Sequence, residues 1–243
     1  MLQSLVARKF DVYTRRARIA PCLIAFLPVL VTVFAIFPQQ YAGLGGIAGL
    51  LSWGSITALL AETSRELGKR KQPGLYKQWQ GKPTTKLLRH RNAPNEVTLR
   101  RRHAKLEQCI SDIKIPTALE ERANPKLADD IYEECTAFLR RYTTRHRDEY
   151  PLVFEELCNY GFRRNLWGMK PIGITASVVG TITIGIFIAI NWISGTSSST
   201  LSIAGGVVNL AMLLAWLLLV NPEWVKTVAD AYAERLMETC EHL

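Results

Sequence analysis

The segment 69–102 combines the residue types that bind phosphates and nucleobases. Its clustered basic side chains are opposed only by Glu96, and two aromatic residues lie between them. Basic groups supply counter-charge for phosphates and aromatic faces stack on bases, so this mixture is typical of a site for single-stranded nucleic acid or a nucleotide. The candidate ligand-binding residues are Tyr76, Trp79, Lys82, Thr84, Thr85, Arg89, Arg91 and Arg101.

The peptide Gly81–Thr85 adds a glycine for close backbone approach and two hydroxyl groups near a predicted helix start, where free N–H groups favour anions. In this interpretation the basic and hydroxyl side chains contact phosphate, and the two aromatic rings stack on bases. Anionic lipid is an alternative partner, because each juxtamembrane Lys or Arg contributes about 1 kcal/mol to binding an anionic surface. Lipid explains Lys69–Lys71 well and explains Arg89–Arg102 less well.

Catalytic signatures are missing from the sequence. It has no phosphate-binding P-loop, no GxSxG, no HExxH and no paired His/Cys cluster. The five cysteines lack CxxC spacing, which favours reduced thiols in a cytoplasmic environment. We therefore expect no enzyme, no cofactor and no metal. The four histidines lie among charged residues and are predicted to be solvated surface groups: His90, His103, His146 and His242.

Four long apolar runs contain no Asp, Glu, Lys, Arg or His, and each has about the 20 residues that a helix needs to cross a bilayer. An ordinary soluble domain, a disordered chain and a β-barrel are excluded. The first run is longer than a signal-peptide core, so we expect it to be retained. The predicted fold is an all-α integral membrane protein with four transmembrane helices and a helical cytoplasmic domain inserted between the second and third. The runs are Ile19–Phe37, Tyr41–Ala61, Pro171–Ile193 and Leu201–Val220.

The charge distribution predicts how the chain is threaded. Residues 62–170 carry 23 basic and 15 acidic side chains, residues 1–18 carry five basic and one acidic, and the links within each pair of runs carry none. The positive-inside rule places both termini and the middle segment on the cytoplasmic side, as a multi-pass inner-membrane protein. The predicted domains are 1–61 (basic arm and first hairpin), 62–170 (cytoplasmic ligand-binding domain), 171–220 (second hairpin) and 221–243 (cytoplasmic amphipathic helix).

Polar side chains inside the runs are the informative ones, because an amide or hydroxyl in lipid needs a partner helix or water. They are therefore predicted either to join helices or to line a pore. A transporter would show midplane charge or matched broken helices, and the sequence shows neither. Spans without charge suit a poorly selective pore or a passive anchor. The polar residues are Ser177, Thr181, Thr183 and Asn209.

Local signals predict where helices start and stop. Pro73-Gly74 is predicted to be a turn, and a helix over Leu152–Tyr160 is predicted to end at Gly161. The C-terminal apolar stripe needs a partner, either the middle domain or another subunit. Helix starts are predicted at Asn95, at the capping box of Thr117 and Glu120, before the amphipathic stretch Leu127–Tyr142, and at Asn221-Pro222.

Two motifs carry a resemblance to a known family. Leu75–Asn92, with the sequence LYKQWQGKPTTKLLRHRN, and Phe162–Pro171, with the sequence FRRNLWGMKP, resemble a bacterial four-span family found beside nucleotidyltransferases, the membrane effectors of the Hailong antiphage system. The four-span layout covers the whole chain, whereas the matched motifs cover only these two stretches.

This resemblance implies a homo-oligomeric ion channel, a tetramer, whose cytoplasmic domain holds a single-stranded DNA oligomer (an oligodeoxyadenylate) made by the partner nucleotidyltransferase. The ligand would keep the pore shut, and its degradation by phage nucleases would depolarise the cell in abortive infection. The residues alone leave open a membrane-anchored binding module without a pore. They also leave open a pore gated by a cyclic nucleotide or a protein.

Overall fold

The computed structural model describes residues 12–38 and 47–243, with the backbone alone for 47–58. The regular secondary structure of these residues is entirely helical, with no strand, so the all-helical prediction is confirmed. A π-helical turn, Thr14–Ile19, begins the first helix. The helices of the described residues are α1 Thr14–Ile36, α2 Ile47–Gln78, α3 Pro83–Lys86, α4 Glu96–Cys109, α5 Ala118–Ala123, α6 Pro125–Arg145, α7 Pro151–Ile193, α8 Thr200–Leu218 and α9 Pro222–Glu238.

The chain divides into two compact units. Unit 1 contains the described residues up to Gln72 together with Gly161–Val225, and unit 2 contains Pro73–Tyr160 and Lys226–Leu243. The apolar helices α1 and α8 belong to unit 1. The C-terminal residues of α9 pack within unit 2, where the Tyr232 ring stacks on Tyr160 at 6.3 Å between centroids. The C-terminal stripe therefore finds its partner in the middle segment.

Within residues 12–38 and 47–243, three helices are long and apolar enough to cross a membrane: α1, α7 and α8. Their surfaces expose many large apolar side chains, such as Leu30, Val179 and Leu218, which is the arrangement expected of a helix that faces lipid. With 43 residues, α7 is about 65 Å long, so only part of it fits within a hydrocarbon core of about 30 Å. The second predicted run includes residues 41–46, outside the described residues, and the remainder of it lies in α2.

Small residues allow the helices of unit 1 to approach closely. A Cβ at Gly173 would overlap the Trp216 ring, and one at Gly205 would lie 2.6 Å from Ala35 Cβ. At Gly168 a Cβ would overlap the backbone of Gly68, which lies on α2. Such close crossings are typical of membrane helices, whose association depends on van der Waals packing between small residues.

The predicted helix end at Gly161 is wrong, because α7 continues without a break from Pro151 to Ile193. Gly161 lies against α1 instead, where a Cβ would be 2.9 Å from both Ala17 Cβ and the Tyr13 hydroxyl. Glycine is therefore needed here for close helix approach. A single sequence does not distinguish this use of glycine from its use as a helix C-cap.

The predicted turn at Pro73-Gly74 is also wrong, since both residues lie inside α2. Proline removes one backbone N–H, a cost that tertiary packing can offset. Here Leu75 and Trp79 follow on the same face and are 3% and 4% exposed. Their burial stabilises the last turns of α2.

The predicted helix starts are confirmed. The Asn95 side chain accepts hydrogen bonds from the N–H groups of Val97 and Thr98. Thr117 and Glu120 form the capping box of α5, and Asn221 Oδ1 accepts from the Trp224 N–H at 2.9 Å. Caps are local hydrogen bonds between residues two or three apart, so the sequence specifies them directly.

Candidate functional site

The end of α2 shapes the first part of the predicted ligand segment. Gln80 and Gly81 have positive φ angles, 61° and 132°, and the Gly81 N–H donates to Tyr76 O at 2.8 Å. A Cβ at Gly81 would lie 2.6 Å from Arg89 Nη2. The glycine therefore provides the close approach that the sequence suggested, and the group that occupies this space is the chain's own guanidinium.

Arg89 is locked into a bidentate ion pair. Its Nε and Nη2 donate to the two carboxylate oxygens of Asp129 on α6, both at 2.7 Å, and its Nη1 donates to Gln80 O at 2.9 Å. The side chain is 8% exposed. Two parallel N–H···O bonds fix both partners. Arg89 thus joins the turn after α2 to α6.

Glu121 is the centre of a buried hydrogen-bond network in unit 2. Its carboxylate, 2% exposed, accepts from the His90 N–H at 2.7 Å, from Arg91 Nη1 at 2.8 Å and from the Tyr132 hydroxyl at 2.9 Å. Burial by itself raises the pKa of the Glu121 carboxyl. The hydrogen bonds from His90, Tyr132 and Arg91, together with the charge of Arg91, outweigh burial and leave this pKa below its usual value.

The remaining predicted cations also have carboxylate partners. Arg91 Nη2 lies 3.0 Å from Asp129, so Arg91 bridges Asp129 and Glu121. Lys82 Nζ donates to Glu133 at 2.6 Å in a pair whose side chains are 41% and 43% exposed. Exposed pairs of this kind contribute little to stability, so a phosphate could replace Glu133 as the partner of Lys82. On the surface of unit 2, Arg101 pairs with Glu241.

The aromatic and hydroxyl members of the predicted set differ in accessibility. Trp79 and Thr85 are buried, whereas Tyr76 and Thr84 are half-buried. The Tyr76 hydroxyl lies 3.2 Å from that of Tyr160, and the Tyr76 ring lies 6.0 Å from Lys82 Nζ. Tyr76 and Lys82 therefore form the accessible part of this cluster, while Trp79, Thr85 and Arg89 lie inside the fold.

His103 is buried, so the prediction of a solvated surface group is wrong for this histidine. It is 8% exposed, its Nε2 lies 2.8 Å from Leu88 O, and its ring stacks on Tyr132 at 5.8 Å between centroids. Burial is the main cause of its lowered pKa. His103 faces inward from α4 because it follows Leu99 and precedes Leu106 on the buried face of that helix.

A cleft of about 300 Å³ lies between α4 and the part of α9 in unit 2. Arg102 lines it, and the buried Nε of Arg102 has no hydrogen-bond partner among the residues that the structure describes. A buried donor without an acceptor is costly, so an acceptor that reached this nitrogen would be bound favourably. Sequence analysis did not select Arg102, although it belongs to the run Arg100–Arg102. The other polar residues of the cleft are Asn95, Thr98, Glu234 and Glu238.

The polar side chains of the spans bond mainly within unit 1. Asn209, fully buried in α8, donates through Nδ2 to Thr32 Oγ1 of α1 at 2.8 Å. Ser177 and Thr181 each donate to a carbonyl four residues earlier in α7. Thr183 is exposed and, together with Thr32, lines a mostly apolar groove of about 470 Å³ between α1 and α7. Of the four predicted residues, Asn209 alone hydrogen-bonds to another helix within the described part of the chain.

The Asn209–Thr32 bond gives a testable prediction. We expect a double-mutant cycle of Asn209→Ala and Thr32→Val to yield a coupling energy of about 0.5–2 kcal/mol, the usual value for interhelical hydrogen bonds in membranes. Thermal unfolding of the purified protein in detergent measures it. Asn191→Ala on α7 is the control variant. If the effects of Asn209→Ala and Thr32→Val are simply additive, the two side chains are not paired between the helices.

Within residues 12–38 and 47–243, no group of three or more His, Cys, Asp or Glu side chains could hold a metal ion. Comparison of the chain with protein-family models, with curated proteins and with solved structures finds no match. The functional proposal therefore depends on the side chains described above and on the two motifs at 75–92 and 162–171.

Proposed function

We propose that the protein is the membrane effector of an antiphage defence system: a homo-oligomeric ion channel, a tetramer, controlled by a single-stranded DNA oligomer that binds its cytoplasmic domain. Four spans, with residues 62–170 and both termini on the cytoplasmic side of a bacterial inner membrane, are part of this proposal. A nucleotidyltransferase is the proposed source of the oligodeoxyadenylate ligand. The channel and its defence role rest on the resemblance of the two motifs.

One observation carries the ligand-binding part of the proposal: Arg102 lines the cleft in unit 2, and its buried Nε has no hydrogen-bond partner among the described residues. A guanidinium donor in a cleft suits a phosphate oxygen or a base acceptor. Glu234 and Glu238 offer acceptors for the amino groups of a base, and Arg235 pairs with Glu238 at 2.7 Å and so offsets its charge. The neighbouring Arg101 is exposed and could exchange Glu241 for a phosphate.

Oligonucleotide binding tests this assignment. We expect R101Q/R102Q to bind a fluorescein-labelled oligodeoxyadenylate roughly tenfold more weakly and to reduce the slope of log affinity against log salt by about 1.4. Fluorescence anisotropy with full-length protein in nanodiscs measures both quantities. The matched control is R140Q/R141Q, which removes two adjacent arginines from α6. Unchanged binding by R101Q/R102Q, or an equal loss in the control, would reject the cleft as the ligand site.

A membrane-anchored binding module without a pore is the second candidate. The hydrogen bond between Asn209 and Thr32 favours this candidate. It engages the side-chain amide of α8 in helix packing rather than in lining a pore. Ion flux separates the two candidates: a channel in liposomes loaded with an ion-sensitive dye conducts and responds to the oligomer, whereas an anchor gives the same signal as empty liposomes. Mass spectrometry of the co-purified ligand would identify a cyclic nucleotide or protein signal instead.

A further inference from the structure

Two lysines of unit 1 lie against the same indole ring. Lys71 Nζ is 4.8 Å and Lys170 Nζ is 5.3 Å from the centroid of the Trp167 ring. Both distances fall within the range of a cation–π interaction. Lys71 comes from α2, and the other two residues come from α7. Packing in unit 1 therefore brings together two ammonium groups that are 99 positions apart in the sequence.

Backbone carbonyls hold both ammonium groups in place. Lys71 Nζ donates to Trp167 O at 3.3 Å, and Lys170 Nζ donates to Val220 O at 2.7 Å. An ammonium has three donors, so each lysine keeps donors for a further acceptor. Both residues are half-buried, so neither is sealed inside the fold.

The two charges repel each other. The pKa of Lys71 is lowered, first by burial and then by the positive charge of Lys170. Like charges at short range in partly buried surroundings destabilise one another, and an anion between them replaces repulsion with two attractions. The two ammonium groups therefore favour the binding of an anion at this position.

The position of the pair along the chain indicates which anion. Lys170 directly precedes Pro171, the first residue of the third apolar run, and its carbonyl partner Val220 is the last residue of the fourth. Tryptophan and lysine at the ends of apolar spans lie at the level of the lipid headgroups. An anionic phospholipid presents its phosphate at that depth.

We propose that Lys71, Lys170 and Trp167 form a binding site for the phosphate of an anionic phospholipid headgroup. The two ammonium groups donate to the phosphate oxygens, and the indole face fixes the ammonium positions. A lipid held there bridges α2 and α7 in unit 1.

Native mass spectrometry tests the site with full-length protein in mixed phosphatidylglycerol and phosphatidylcholine. We expect wild-type protein to retain phosphatidylglycerol preferentially and K71Q/K170Q to lose that preference roughly tenfold or more, because both charges at the headgroup are removed. K69Q/R70Q removes two neighbouring exposed charges from α2 and should keep the preference. K71R/K170R should also keep it, and this variant tests the site even if the glutamine variant does not fold.

Inorganic phosphate distinguishes the two sources of a phosphate group. If millimolar inorganic phosphate binds the lipid-free protein, and also displaces phosphatidylglycerol from the lipid-bound protein, the site belongs to a soluble phosphate and the lipid assignment is rejected. An undiminished preference in K71Q/K170Q would reject the site itself. The proposal is supported if phosphatidylglycerol stays bound in the presence of inorganic phosphate and if, among the variants, only K71Q/K170Q loses the lipid preference.

Discussion

Replacing Glu121 with glutamine is expected to lower the free energy of unfolding by about 3–5 kcal/mol, the usual cost of removing one partner from a buried ion pair. The carboxylate accepts from a backbone N–H of His90, from the Arg91 guanidinium and from the Tyr132 hydroxyl. Glutamine keeps the shape but turns one acceptor into a donor, so at least one buried donor loses its partner. Thermal or denaturant unfolding of full-length protein in detergent measures the loss.

Glu134→Gln is the matched control, because Glu134 is 56% exposed and pairs only with an exposed Arg141 among the described residues. We expect a change of less than about 1 kcal/mol there. If Glu121→Gln and Glu134→Gln lower the free energy of unfolding equally, the buried network around Glu121 does not stabilise unit 2.

The effect of Glu121 depends on pH with a defined sign. Because the folded protein lowers the pKa of this carboxyl, its contribution is present above the unfolded value of about 4.3 and is lost as the pH falls through the lower folded value. The difference between wild type and Glu121→Gln should therefore be largest near neutral pH and shrink in acid. A difference that grows in acid would contradict the proposed network.

Replacing Gly168 with alanine is expected to cost about 3 kcal/mol or more, at the upper end of overpacking effects. The new Cβ would overlap the backbone of α2 and lie 2.7 Å from Gly68 Cα. Backbone atoms cannot rotate away as a flexible side chain can, so α2 and α7 must separate. Thermal unfolding and size-exclusion profiles in detergent would report the loss of the native packing.

Gly185→Ala on the same helix is the control, since a Cβ there meets nothing within 4 Å. Alanine favours a helix over glycine by about 1 kcal/mol, so this variant should be neutral or slightly stabilised. If both alanine variants behave alike, the close crossing at Gly168 does not determine the stability of unit 1.

Features set by residues a few positions apart were predictable from the sequence. The caps at Asn95, Thr117 and Asn221 and the apolar runs of α1, α7 and α8 depend on local hydrogen bonds and on composition. The predicted helix end at Gly161 and the predicted turn at Pro73-Gly74 are wrong because each residue lies inside a helix that tertiary packing stabilises. Single-residue signals for helix ends cannot register a neighbouring helix that is distant in sequence.

The ion pairs of the candidate site were also not predictable, because their partners are distant in the sequence. The sequence identified the cations of segment 69–102 but not their acidic partners on α6, Asp129 and Glu133. These two acids are four apart, on one face of the helix, and they pair with Arg89 and Lys82. Sequence composition counts charges, whereas phosphate binding depends on the charges that remain unneutralised after folding. Arg102, whose buried Nε has no partner among the described residues, and Arg101, whose pair with Glu241 is exposed, are therefore better candidates than Arg89.

The burial of Trp79 gives unit 2 a built-in optical reporter. It is the one tryptophan within Pro73–Tyr160 and Lys226–Leu243, and its indole is packed edge-to-face against Tyr76 at 6.1 Å between centroids. A chain in which the other five tryptophans are phenylalanine would emit ultraviolet fluorescence from this position alone. A red shift of that emission would then report any loosening of unit 2, without attaching a dye.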